Sequence, residues 1–291
     1  MSTTRRHVDT ILRLGKARIS SLATISMIAG YVLAHGNVSW PLVSLTLGVF
    51  LLACGSSALN QIQEREIDGR MRRTMGRPLP TGRASLAFAA AVSSGCLIAG
   101  SLAILWSSNP QAMALGILAV VWYNVVYTPL KRVTAFAAVP GGVVGAIPPV
   151  IGWVAGGGSA ADPRILAVAF FFFMWQIPHF WLLLLSTGGE EYESAGLPSL
   201  TRFFSLEQIA RITFMWILGT AMVCLVIPLF GVIESAWINM GLFVAGLWLV
   251  WRSARILRST TGGPAFRHAF KHVNLYVCWV ISLLAIGGVL S

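Results

Sequence analysis

Runs of about 18 to 25 apolar residues, separated by short polar breaks, recur from one end of the chain to the other. A helix rises about 1.5 Å per residue, so each run matches a hydrocarbon layer about 30 Å thick. The pattern predicts spanning helices over 19–37, 40–62, 85–107, 110–128, 134–156, 163–186, 206–231, 234–257 and 269–290. The expected fold class is therefore all-α: a polytopic bundle of about nine transmembrane helices, forming a single membrane domain over 1–291. An odd number of crossings puts the two termini on opposite sides. Ahead of the first run, residues 1–18 form a basic segment. The run behind it is too long for a signal peptide and has no small-residue cleavage site, so the first helix is expected to be retained. Val8, Ile11, Leu12 and Leu14 interleave with Arg13, Lys16 and Arg18. That suits a short helix lying on the membrane surface, and a disordered basic tail fits the same residues.

Composition sharpens this picture. Hydrophobic residues make up 56% of the chain and charged residues 11%, far from the roughly 25% charged residues of soluble domains. A formal charge of +11 would point to nucleic acid in a soluble protein. Threaded through the predicted helices, however, 20 of the 21 Lys and Arg residues fall on the side of the N-terminus, and only Arg164 falls opposite. The positive-inside rule then predicts a cytoplasmic N-terminus, cytoplasmic long loops and an external C-terminus, in a bacterial-type inner membrane. The basic balance reports topology, so membrane lipid is an expected partner and nucleic acid is not. Cys54, Cys96, Cys224 and Cys278 stand singly in apolar segments and are read as small apolar residues.

Polar chemistry concentrates at the charged side. The connections after the second and sixth helices hold Glu64, Glu66, Asp68, Glu190, Glu191, Glu193 and Glu207, seven of the ten acidic residues. Asn60, Glu64 and Asp68 are spaced i, i+4, i+8, which aligns them on one face of a helix continuing out of the membrane. Stacked carboxylates repel unless a cation sits among them, and hard oxygen ligands point to Mg²⁺, which keeps positions open for substrate phosphates. Arg70, Arg72, Arg73, Arg77 and Arg83 follow, offering fixed positive charge to a diphosphate leaving group. A solvated helix end paired to those arginines would use the same residues. Glu190 and Glu191 offer a second carboxylate set for the metal, or form part of a solvated loop.

Three further segments carry candidates. In Tyr127-Thr128-Pro129-Leu130-Lys131-Arg132, Pro129 is expected to interrupt the helix at the membrane surface. There Tyr127 and Lys131 either bind phosphate together or serve as interfacial anchors. The sixth helix runs Phe170 to Phe173, Met174, Trp175, Gln176, Ile177, Pro178, His179. The Phe run is expected to face lipid. Gln176 and His179 share a face at i, i+3, and His179 is either a buried hydrogen-bonded imidazole or a haem ligand. In the fifth helix, small residues around Pro148-Pro149 predict close packing and a kink.

Together these segments resemble the UbiA superfamily of intramembrane prenyltransferases, and within it the haem-farnesylating branch. The matching stretches are Asn60-x-x-x-Glu64-Arg65-x-x-Asp68 with Arg73, Arg77-Pro78-Leu79, Tyr127-x-x-x-Lys131, Ile147 to Trp153, Trp175-Gln176-x-Pro178-His179 and Tyr192-x-x-Ala195-Gly196-x-Pro198. The resemblance implies a nine-helix bundle around a central cavity, with Mg²⁺ held by Asn60, Glu64, Asp68, Glu190 and Glu191. It implies a diphosphate gripped by Arg73, Arg77, Tyr127 and Lys131, with catalysis resting on Asn60, Glu64, Asp68, Lys131 and Glu191. Gln176 and His179 would face the acceptor. The implied substrates are farnesyl diphosphate and haem b, and the implied partners are haem A synthase or oxidase-assembly proteins. A quinone-precursor ring as acceptor, or a non-catalytic haem or lipid transporter, are the alternative readings. The chain departs from the family at Ser186-Thr187-Gly188-Gly189, where basic residues are usual, and at Lys16-Ala17, where Lys-Pro is usual.

Overall fold

The computed structural model describes residues 3–187, 190–258 and 263–290, with the side chains at positions 3, 4, 187, 190 and 191 outside that description. Every regular element among the described residues is helical. An amphipathic helix α1 (Thr3–Leu14) precedes the spanning helices α2 (Ala17–His35), α3 (Trp40–Asp68) and α4 (Leu86–Ser107). The next crossing joins α5 (Pro110–Val121), a π-helical segment Trp122–Tyr127 and α6 (Thr128–Leu130). After it come α7 (Ala138–Ala155), α8 (Pro163–Thr187), the short α9 (Glu190–Ser194), α10 (Leu206–Val226), α11 (Ala236–Ser253) and α12 (Gly263–Leu290). Nine helices among the described residues are long and apolar enough to cross a bilayer, and they fall on the nine expected runs. This is an integral membrane protein. In lipid no water is present to satisfy backbone groups, so each crossing closes its own hydrogen bonds as a helix.

The crossings pack in sequence order, each against the next, and α12 returns to pack on α2. Further pairings between non-successive helices join α2 with α7, α8 with α12 and, more lightly, α3 with α5. Between lipid-immersed helices the attraction is close packing, which small residues permit. A Cβ on Gly152 would overlap the carbonyl oxygen of Met27, and one on Gly30 would overlap that of Pro149, so α2 and α7 touch backbone to backbone. Pro148 and Pro149 lie inside α7, which stays helical through both, and Gly30 approaches at the backbone of Pro149.

Three expectations need correction. Only Phe170 of the Phe run faces outward, at 51% exposed, while Phe171 and Phe172 are buried. Four consecutive helical positions cover about 300° at 100° each, so they cannot share one lipid face. Pro129 does not interrupt its crossing either, because the chain remains helical through Leu130 and relaxes upstream into the π-helical segment. Gln176 and His179 diverge: the Gln176 amide lies against Gly145 of α7, whereas His179 reaches Asn274 of α12. At the N-terminal end, residues 3–14 form a helix, not an irregular tail, and turn Val8, Ile11 and Leu12 outward.

Candidate active site

α3 has 29 residues, which at about 1.5 Å each make a helix of about 43 Å, longer than the hydrocarbon layer. Its last turns therefore leave the apolar layer carrying Asn60, Glu64 and Asp68 on one face, all three buried. The side chains around them meet each with a different cation. Lys16 Nζ donates to Asn60 Oδ1 at 2.7 Å, Lys131 Nζ lies 2.5 Å from Glu64 Oε1, and Arg77 Nη1 donates to both oxygens of Asp68 at 2.7 and 2.6 Å. Buried carboxylates require such partners, so the arginine and lysine side chains are part of the site's construction.

Local structure explains how each cation arrives. The loop after α3 folds back because Thr74 Oγ1 donates to the Asp68 carbonyl at 2.9 Å, which brings Arg77 over the carboxylate. Lys131 leaves the end of α6 with its ammonium 5.0 Å from the Tyr127 ring centre, a cation–π contact. Burial pulls the Lys131 ammonium below its usual range, and the Glu64 carboxylate pulls the other way. Lys16 occupies the junction between α1 and α2 with φ of 47°, the one non-glycine residue in the left-handed region among the described residues. That backbone costs roughly 1–2 kcal/mol for an L-residue. It is held because Gln61 Nε2 donates to the carbonyls of Arg13 and Leu14 at 2.8 and 2.9 Å. Burial lowers the Lys16 ammonium to about 7, the nearby Arg77 and Lys131 charges push it the same way, and Glu64 and Asp68 oppose them.

The π-helical segment orients the rest. Its extra residue per turn shifts the side chains that follow, and places Tyr123 within 3.3 Å of Lys16 Nζ. Thr128 Oγ1 donates to the Tyr123 carbonyl at 2.8 Å and accepts from Asn60 Nδ2 at 2.9 Å. The Asn60 amide is thereby oriented with Oδ1 toward the cations. Asn124 Nδ2 donates to Ser56 Oγ at 2.6 Å, and Gln63 Nε2 to the Asn124 carbonyl at 3.0 Å, tying this crossing to α3. The donor set on α3 is two carboxylates and one amide oxygen, all hard ligands, which suits Mg²⁺. No cluster of three His, Cys, Asp or Glu side chains among the described residues converges as a metal site.

From this polar end a line of aromatic rings leads inward. Tyr123 to Tyr127, Tyr127 to Phe180, and Phe180 to His179 are 5.8, 5.5 and 5.7 Å apart between ring centres. His179 is enclosed by Trp175 and Phe270 at 4.9 and 5.0 Å. Asn274 Nδ2 donates to the Phe270 carbonyl at 2.6 Å, so its Oδ1 accepts from His179 Nδ1 at 2.8 Å. The imidazole proton is on Nδ1, and Nε2 keeps its lone pair.

Of the residues picked out from sequence, Asn60, Glu64, Asp68, Arg77, Tyr127 and Lys131 meet at this site. Arg73 is exposed beside it. The side chains of Glu190 and Glu191 lie outside the described residues. His179 and Gln176 stand apart from the carboxylates and face different helices. Sequence reasoning missed Tyr123 and the central place of Lys16. The i, i+4 spacing of Tyr123 with Tyr127 was the available signal for the first.

The chain from 23 to 275 matches the model of the UbiA prenyltransferase family. It is 32% identical over 278 residues to the protoheme IX farnesyltransferase of Oleidesulfovibrio alaskensis, covering 96% of each chain. With the protoheme IX farnesyltransferase of Geobacter sulfurreducens it shares 40% identity over 220 residues, covering 76% of this chain and 81% of that one. Among solved structures, it superposes on a digeranylgeranylglyceryl phosphate synthase with a TM-score of 0.78 at 15% identity, covering 98% of this chain and 99% of the other. A UbiA homologue from Archaeoglobus fulgidus bound to GPP and Mg²⁺ gives 0.68 at 16% identity, with 94% and 99% covered. Both structural likenesses speak for the fold. With the family model spanning most of its length and full-length relatives above 30% identity, this chain belongs to the UbiA prenyltransferase family.

Proposed function

We propose that this protein transfers the farnesyl group of farnesyl diphosphate to a vinyl group of protoheme IX. The observation that carries the proposal is the buried face of Asn60, Glu64 and Asp68, each side chain paired with a basic one, with a line of aromatic rings leading from it toward His179. The named farnesyltransferase relatives support the donor and the acceptor.

Asn60, Glu64 and Asp68 would hold Mg²⁺, with Glu190 and Glu191 completing its ligands. When bound, the ion supplies charge neutralisation to the departing diphosphate. Lys16, Lys131 and Arg77 exchange their present partners for diphosphate oxygens, so positive charge is already in place where negative charge develops. Arg73 reaches the diphosphate from the exposed side, and Tyr127 keeps Lys131 in position.

The C1–O bond of farnesyl diphosphate breaks and the diphosphate leaves with the electron pair. The faces of Tyr127 and Phe180 stabilise the allylic cation through their quadrupoles. The terminal vinyl carbon attacks C1, and the cation formed beside the porphyrin ring takes a water molecule and loses a proton, leaving a hydroxyethylfarnesyl substituent. His179, with its Nε2 lone pair, would orient the acceptor through its iron. The site would open to the cytoplasm, which supplies the water-soluble diphosphate end, and the N-terminus would lie on that side of the inner membrane.

The test is to incubate the purified full chain with protoheme IX, farnesyl diphosphate and Mg²⁺, with an EDTA control. Metal-dependent appearance of the hydroxyethylfarnesyl haem by mass spectrometry supports the proposal. Consumption of farnesyl diphosphate by folded protein with no haem product overturns the acceptor assignment.

A further inference from the structure

A second cationic cluster lies away from the α3 site, where α11 and α12 meet at the charged end of the bundle. Arg252 Nη2 donates to His272 Nε2 at 3.3 Å, so the His272 proton sits on Nδ1. That Nδ1 is buried with no hydrogen-bond partner, and so is Arg252 Nε. The hydroxyl of Ser253, the residue next to Arg252, is buried without a partner as well. Buried donors are satisfied in almost all folded proteins, so donors left open on a cation call for an acceptor of negative charge.

Among the described residues none is supplied. After Glu234 it has five basic residues, Arg252, Arg255, Arg258, Arg267 and Lys271, and no Asp or Glu. Arg255 adds its charge within electrostatic reach of His272. On the neighbouring α10 the carboxylate at this end is Glu207, which is exposed and lies 3.9 Å from Arg211. The spanning part of α8 contains no acidic residue. The cluster stands at the lipid-facing edge: Arg252 is 5.7 Å from the ring of Trp251, which is 66% exposed and belongs to the aromatic level where headgroups lie.

We propose that this end of α11 and α12 binds the phosphate of an anionic phospholipid headgroup, with the half-buried Arg252 and His272 side chains turning their open Nε and Nδ1 donors to its oxygens. The anion is supplied by the leaflet itself, whose negative surface concentrates at juxtamembrane basic groups. The site is separate from the prenyl-transfer site, because its residues come from α11 and α12 alone and offer no oxygen ligands for a metal.

The experiment is native mass spectrometry of the detergent-purified full chain, offered equimolar phosphatidylglycerol and phosphatidylcholine, alone and with millimolar inorganic phosphate. The expected result is one phosphatidylglycerol retained per chain at least fivefold over phosphatidylcholine and not displaced by phosphate. Arg252→Gln should lower that retention about tenfold, and Arg164→Gln, at the opposite end, should leave it unchanged. If Arg252→Gln does not fold, His272→Phe keeps the ring shape, removes both nitrogens and should show the same loss. Equal retention of the two lipids, displacement by free phosphate, or undiminished retention in the variant that folds would overturn the proposal.

Discussion

At the scale of single residues, the buried end of α3 is a set of exchangeable pairs. Glu64→Gln removes a charge that faces both Lys131 and the expected metal, and kcat/KM is expected to fall about 100- to 1000-fold, as for other groups that meet developing charge. Lys131→Met should cost about as much alone. In the Glu64→Gln background it should cost much less, because the two side chains act as a unit. Steady-state kinetics on the four proteins checks this, and simple additivity would contradict the pairing. Lys16→Gly separates stability from activity. Glycine accepts the left-handed backbone that lysine adopts under strain, so thermal unfolding in detergent should be unchanged or shifted upward. The KM for the prenyl diphosphate should nevertheless rise about tenfold with the loss of a charge-assisted contact. The Asn60, Glu64 and Asp68 stripe was legible because helical periodicity alone aligns residues four apart. Lys16 was not, because its importance comes from the backbone turn at Gly15-Lys16, which is held by Gln61 from another helix.

At the scale of elements, hydropathy carries most of the information. All nine spanning helices were legible, since a run of apolar residues in lipid has no alternative to a helix. Which helices touch was only partly legible. The small residues of α7 signalled close packing, yet the sequence does not say that Gly152 meets Met27 and Gly30 meets Pro149. Gly152→Val is expected to push α2 and α7 apart and to destabilise the protein by about 1–3 kcal/mol, the usual range for overpacking. Gly95→Ala, where an added Cβ meets nothing within 4 Å, should be silent in the same unfolding measurement. The π-helical segment was not legible at all, because a hydrogen-bond register leaves no mark on composition. Deleting Val125 should return Trp122–Tyr127 to α-helical register and rotate the upstream side chains by roughly 100° relative to Lys131. The variant should insert and purify normally while losing turnover.

At the scale of the whole molecule, the charge pattern makes a topological claim that labelling can check. In a cysteine-free background, Ser108→Cys should react with an impermeant maleimide in intact cells, and Arg83→Cys only after the membrane is permeabilised. The reverse pattern would invert the orientation and place the diphosphate site on the outer face. The packing order has a separate consequence. The first and last spanning helices are neighbours, so the crossings close into a ring, and the nine candidate crossings among the described residues would leave the two chain ends on opposite faces. With that topology, joining those ends would require a tenth crossing, and simple circular permutation, which soluble domains with adjacent termini tolerate, is expected to fail. It should instead tolerate being cut. Two fragments divided in the loop between α7 and α8, each a run of consecutive neighbours, could be made separately and find each other in the bilayer through the α2–α12 and α7–α8 contacts, with α8–α12 holding the second fragment together.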